Sequence, residues 1–281
     1  MSLAYLVVMA YAVAAVGLSW LYFRRYSVTR PPIGVFDLGD IAAMLVAIVV
    51  VPLLYLWLPL WLAASLLTLG VGSILYTTWE PILRRPWAIW LVTLGLAGAD
   101  IWTAWRLGAQ SPVFFSINNI VLVLSIVGAT NLWAQSGMRA RDAAWLGAGL
   151  MLYDFVATSL LTMMSDMVNR LSGLPFAPFV FGGDLSQGYG LGIGLGDLLM
   201  AAVFPLVMRK AYGRRAGLTA LVLSLAAMAL MMAVLALGWL HVNLPAMVIL
   251  GPLMVAQYLT WRRAGQERTT WQYLQAEPRS G

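Results

Sequence analysis

The feature that most constrains this chain is a succession of nine apolar runs, each about the length that carries a helix through a bilayer. They cover 3–22, 41–59, 61–79, 87–107, 117–134, 144–165, 190–208, 216–238 and 244–261, with short breaks rich in arginine, proline or glycine between them. In lipid a backbone must satisfy its own polar groups, so runs of this kind form helices. Of the 281 residues, 62% are apolar and 10% charged, where a water-soluble domain carries about 25% charged residues. A soluble globular enzyme is excluded. The expected fold is an all-α polytopic membrane protein of nine transmembrane helices. The uncharged stretch 41–79 needs one internal break, because as a single helix it would rise about 58 Å, nearly twice the hydrocarbon core. Pro59, between Trp57 and Trp61, supplies the turn.

Charge sets the expected orientation. With the N-terminus outside, the cytoplasmic segments are 23–40, 80–86, 135–143, 209–215 and the tail from 262. They hold 15 of the 17 basic residues, and only Arg106 and Arg170 fall on the other side. This is the positive-inside pattern, and an eight- or ten-span count would break it. It also accounts for the net charge of +6 as topology, so no nucleic acid partner is expected. No basic residue precedes the first apolar run, which argues against a cleavable signal peptide. Three regions are expected: an N-terminal five-helix part (1–143), spans six to nine (144–261) and a polar cytoplasmic tail (262–281). Arginine outnumbers lysine 16 to 1 and no glycosylation sequon occurs, which fits a multi-pass protein of a prokaryotic cell membrane.

With no cysteine and a single histidine, His241, thiol chemistry is absent and no metal or cofactor is expected. His241 and Asn243 read as loop residues. The most informative side chains are then the carboxylates inside the spans, each costing roughly 2.5–3.5 kcal/mol to insert at a helix centre. There are three. Asp100 lies six residues before Arg106 and reads as structural, satisfied by a local partner or by water. Asp154 and Asp197 sit about 15–16 Å from the cytoplasmic ends of the sixth and seventh spans, on sequential antiparallel helices, and can face each other. At 4 Å two carboxylates repel by about 4 kcal/mol at an effective dielectric of 20, so such a pair shares one proton. One member can then activate water while the other protonates a carbonyl. The same pair could instead serve as a proton relay or cation site in a transporter.

The residues around these carboxylates narrow the choice. The first lies in Tyr153-Asp154, the second in Gly194-Leu195-Gly196-Asp197, and Pro245-Ala246-Met247 opens the ninth span. Glycines before a buried carboxylate allow close backbone approach, and Ala246 permits close helix contact. Asn118 and Asn119, at the start of the fifth span, read as polar caps.

In their order and their positions on spans six, seven and nine, these elements resemble the YD, GxGD and PAL motifs of the presenilin and signal peptide peptidase family of intramembrane aspartyl proteases. Pro205 is similar to the proline that follows the GxGD motif in signal peptide peptidases. The resemblance covers 144–261 in detail. It implies that Asp154 and Asp197 are the catalytic pair, with Tyr153, Gly194, Leu195 and Gly196 in support. Pro245, Ala246 and Met247 would border the site and assist substrate binding, Met247 replacing the usual leucine. The implied activity is hydrolysis of peptide bonds within transmembrane segments or signal peptides, in a single uncut chain needing no accessory subunit. The outside N-terminus matches the signal peptide peptidase orientation. An unwound substrate would pair as a strand with the 166–189 loop or with the glycines at 190, 192, 194 and 196. Two alternatives stand beside this reading. A prepilin peptidase also uses a GxGD aspartate, but its pair is expected near the cytoplasmic surface and Pro245-Ala246-Met247 goes unexplained. A carboxylate-coupled ion or solute transporter would predict inverted repeats, and none is visible.

Overall fold

The computed structural model describes residues 3–28, 38–108, 111–160, 163–182, 192–237, 246–269 and 272. Among them ten α-helices follow one another: α1 (Leu3–Arg25), α2 (Leu38–Trp57), α3 (Leu60–Leu83), α4 (Pro86–Arg106), α5 (Pro112–Gln135), α6 (Ala140–Phe155), α7 (Met163–Leu171), α8 (Leu195–Tyr212), α9 (Arg214–Ala236) and α10 (Met247–Ala264). A π-turn, Val156–Leu160, extends α6. Between α7 and α8 lie two short strands, β1 (Phe179–Phe181) and β2 (Gly192–Gly194), paired antiparallel with Phe179 opposite Gly194 and Phe181 opposite Gly192. Apart from these six residues the described regular structure is helical, as an all-α membrane protein requires. The chain is otherwise a multi-pass helical membrane protein.

Six helices, α1 to α5 and α9, are long and apolar enough to cross a membrane. The expected turn at Pro59 separates α2 from α3. The other three expected spans correspond to α6, α8 and α10, and these are short. α8 and α10, at 18 residues each, rise roughly 27 Å, less than the hydrocarbon thickness of about 30 Å, and α6 is regular for only 16 residues before the π-turn carries it on to Leu160.

Their boundaries also depart from the expected ones, for identifiable reasons. α6 starts at Ala140 rather than 144, because polar groups begin it: Asp142 accepts the Arg139 N–H (3.2 Å) and Glu267 accepts the Ala140 N–H (2.7 Å). α8 starts at Leu195 rather than 190, because Gly192–Gly194 are extended, and each glycine in a helix costs about 1 kcal/mol relative to alanine. α5 starts at Pro112 after a Ser111 cap, so Asn118 and Asn119 lie inside the helix and are not its caps. Pro245, His241, Asn243 and the glycine at 190 fall outside the described residues, as do 183–191 of the long connection and most of the tail beyond 269.

The core is built around α8, whose side chains from Leu198 to Ala211 are almost all buried, Pro205 among them, against α1, α5, α6, α9 and α10. Two cations are buried near its end. Lys210 donates to the carbonyls of Ala134 (2.7 Å), in the last turn of α5 where the helix itself supplies no partner, and of Met138 (2.6 Å), in the connection to α6. Arg209 lies over the Trp20 ring, 4.9 Å from its centre. α6 and α10 cross closely at Gly251, where a Cβ would stand 2.8 Å from the Gly147 carbonyl and from Met151.

Candidate active site

The three short helices all end in one place. Asp154 is the penultimate residue of α6, Asp197 lies in the first turn of α8, and Met247 is the first residue of α10. Asp154 is fourteen residues from the start of α6, and Asp197 fifteen from the end of α8. At 1.5 Å per residue the depths are about 21 and 23 Å. The two aspartates thus stand at similar distances along their helices, although both helices begin and end elsewhere than expected. The two carboxyl groups lie within electrostatic reach of each other, and Asp154 is buried, 7% exposed.

Local chemistry differs between the two. Asp197 is the third residue of α8, with Gly194 as N-cap. Its carboxylate reaches back to accept the Gly194 N–H, the acidic half of a capping box, and also accepts the Met247 N–H at the start of α10. Two helix N-termini therefore converge on Asp197, where unpaired amides and the helix dipole favour negative charge. Its Oδ1 has no hydrogen-bond partner among the described residues. Asp154 stands at the opposite kind of helix end, just before the π-turn. Such turns leave the regular hydrogen-bond ladder and recur at functional sites. The Tyr153 hydroxyl and Thr158 Oγ1 are buried nearby in sequence and lack partners among the described residues.

The supporting residues divide. Ala246 and Met247 are buried, and Met247 is tied to Asp197 through its backbone. Leu195 donates its N–H to the Pro178 carbonyl at 3.0 Å, which continues the sheet into the helix. The glycines do not pack as expected. Among the described residues, a Cβ on Gly196 would meet nothing within 4 Å, and one on Gly194 would meet only Asp197 Oδ2, at an ordinary 3.5 Å. Close backbone approach belongs instead to Gly251 and Gly147. The motif glycines leave open room beside the carboxylate.

The sheet gives that room a direction. The Phe181 N–H and C=O both bond to the Asn119 side chain (3.0 and 2.8 Å), away from β2. Antiparallel pairs alternate, so Val180 and Ile193 exchange the ladder bonds, and the N–H and C=O of Gly192 and the N–H of Gly194 point out of the far edge of β2, the Gly194 C=O being the N-cap carbonyl of α8. The Gly194 N–H on that edge is the one that meets Asp197.

Sequence reasoning took Asn118 and Asn119 for caps, whereas they bind β1, and it expected a local partner or water for Asp100, whose partner is distant in sequence. Asp100 Oδ2 accepts the Phe176 N–H at 2.7 Å, so its partner is the backbone of the long connection and not Arg106. Adjacent amides in an otherwise apolar run were the available signal. No family model and no curated protein matches this chain.

Proposed function

We propose that this protein is an intramembrane aspartyl protease that hydrolyses peptide bonds of transmembrane segments or signal peptides. The observation that carries the reading is the convergence of Asp154, Asp197 and the Met247 amide near three helix ends, beside a β2 edge that pairs with no further strand among the described residues. In this reading α6, α8 and α10 cross the bilayer with the six longer helices, making nine spans with the N-terminus outside and the C-terminus in the cytoplasm. Their shortness follows from the site. A helix that stops short of the far surface must end in a protein-enclosed or watered space, since free peptide groups are not tolerated against lipid. A prokaryotic cell membrane is the proposed location.

The chemistry needs water, a peptide bond and a shared proton. Asp197, which already accepts two amide hydrogens, is the member suited to carry negative charge and to take a proton from water. Asp154 donates its proton to the scissile carbonyl oxygen as the hydroxide adds to the carbon. The resulting gem-diol collapses with proton transfer to the departing nitrogen, and the pair returns to one proton. A substrate helix hides its peptide bonds, so it must first unwind. The outward N–H and C=O of Gly192 offer an extended segment a short edge to pair with, while the Gly194 carbonyl, at the N-cap of α8, opens the hydrogen-bond ladder of that helix. Such a strand would run past Asp197.

Incubating the detergent-purified protein with a tagged single-span substrate tests this. Wild type is expected to release fragments cut within the span, and Asp154→Asn and Asp197→Asn none. Gly194→Val should also abolish cleavage while leaving the bundle folded, because the resting structure has room for the first added carbon. Full cleavage by either asparagine variant would sink the proposal.

A further inference from the structure

A sheet of two three-residue strands is marginal by itself, and each of its two outer edges is a template for another strand. In this protein the two edges are treated differently. On the β1 side, Asn118 Nδ2 donates to the carbonyls of Ala177 and Phe179 (3.2 Å each). Asn119 Nδ2 donates to the Phe181 carbonyl at 2.8 Å, while Asn119 Oδ1 accepts the Phe181 N–H at 3.0 Å. The Asn119 amide thus presents one donor and one acceptor to Phe181, as a neighbouring strand would. Both asparagines are fully or almost fully buried on α5. Phe115 of the same helix packs against the Phe181 ring, 5.1 Å between centres. The chain entering β1 is fixed as well. Phe176 adopts φ 59°, a left-handed conformation rare for a bulky residue, with its N–H bonded to Asp100.

We infer that Asn118 and Asn119 are positioning residues that close the outer edge of β1 and anchor the sheet to α5, leaving the Gly192–Gly194 edge as the one on which a substrate strand can form. The inference rests on the proposed strand addition beside Asp197. It assigns α5, outside the motif-bearing helices, a part in substrate binding. Neither asparagine touches the reacting groups. They act by holding β1, which holds β2, whose last residue caps the helix that carries Asp197. A purely structural account would make them two buried amides like Asn131, which on the same helix donates to the Ser19 and Val127 carbonyls and has no contact with the sheet. That equivalence is what the experiment examines.

The variants are Asn119→Leu, Asn119→Asp and Asn131→Leu in the full-length purified protein. Amide hydrogen exchange across 176–195 is read first, without substrate. Asn119→Leu should lose protection at Phe181 and across β2, and Asn131→Leu should not. Cleavage of the tagged single-span substrate is read second. Loss of one buried hydrogen-bonding unit should raise KM about tenfold in Asn119→Leu with kcat little changed. Asn119→Asp, which keeps the acceptor for the Phe181 N–H, should shift KM less. Asn131→Leu should lower the melting temperature and leave KM alone. Undisturbed protection in Asn119→Leu overturns the inference whatever the substrate does, as does an equal KM for Asn119→Leu and wild type. If wild type cleaves nothing, the protease reading fails, and the exchange data still decide whether the clamp exists.

Discussion

α2 and α5 have similar length and both pass as membrane spans, yet 6% of one and 72% of the other is buried within the protein. α2 touches chiefly α6 and α7 and shows apolar side chains to its surroundings along its length, Val46, Leu53 and Leu54 among them. α5 packs against α1, α3, α4, α8 and β1. Mean hydropathy does not separate the two. Polar content does. α2 has one charged residue, Asp40 in its first turn, whereas α5 buries Asn118, Asn119, Ser125, Thr130, Asn131 and Gln135. Each of these makes at least one hydrogen bond: Thr130 to Ser19, Gln135 to Tyr26, the asparagines as described. Amides on a lipid-facing helix would lack partners, so their presence marks the helix that others surround.

The largest expected effect comes from deleting matched volumes in the two helices. Ile126→Ala in α5 removes a fully buried side chain from the central core and should destabilise the protein by about 2–5 kcal/mol. Leu54→Ala in α2, half-exposed, should stay within about 0.5 kcal/mol of wild type. Thermal unfolding in one detergent compares them. Equal losses would mean that α2 is packed as tightly as α5, and the contrast between inner and outer helices would collapse.

A second pair sharpens the contrast through glycine. Gly251→Leu drives a side chain into the α6 backbone at Gly147 and should cost about 1–3 kcal/mol. Because α6 and α10 carry Asp154 and Met247, activity should fall further than stability. Gly95→Leu in α4, where an added carbon meets nothing within 4 Å, should be silent in both assays. A stable and active Gly251→Leu variant would show that the crossing can open without disturbing the site.

These contrasts also define how far the amino-acid sequence could be read. Apolar runs located every helix that bears on the site, and the depth argument brought Asp154 and Asp197 to one level. Where a run was broken by polar or glycine residues, hydropathy misplaced the end. α6 gained a turn at its start because Asp142 and Glu267 cap it, one from 127 residues away from Ala140, and no local pattern signals such a contact. β2 was invisible because three residues with glycine at both ends carry no alternation to detect, and β1, Phe179–Phe181, is three apolar residues too short to show a period. Asp100 was legible as a costly residue and the two asparagines only as polar caps, and the partners of all three are backbone groups of a distant connection. Cost is readable from sequence; the partner that meets it is a tertiary fact.

Between inner and outer helices stands the start of the tail, where the smallest effect is expected. Glu267 Oε1 accepts the Ala140 N–H, and Arg268 donates from its backbone to Ala211 and from its side chain to Arg209, each at 3.0 Å. Burial is the main influence on Glu267 and holds its carboxyl above the usual value of 4.5, with the nearby Asp142 adding to the rise. The Ala140 N–H, Arg139 and Lys210 oppose it. The docked tail therefore binds the Glu267 proton more tightly than the released tail does. Docking is favoured fully below the ordinary glutamate value and weakens as pH rises through the elevated one. Amide exchange at 265–269, corrected for its intrinsic pH dependence, should show protection falling over that window. Glu267→Gln keeps an acceptor for Ala140 and has no proton to lose, so its protection should be flat. A slope that survives in Glu267→Gln would assign the pH response to another group and leave the tail held by Arg268 alone.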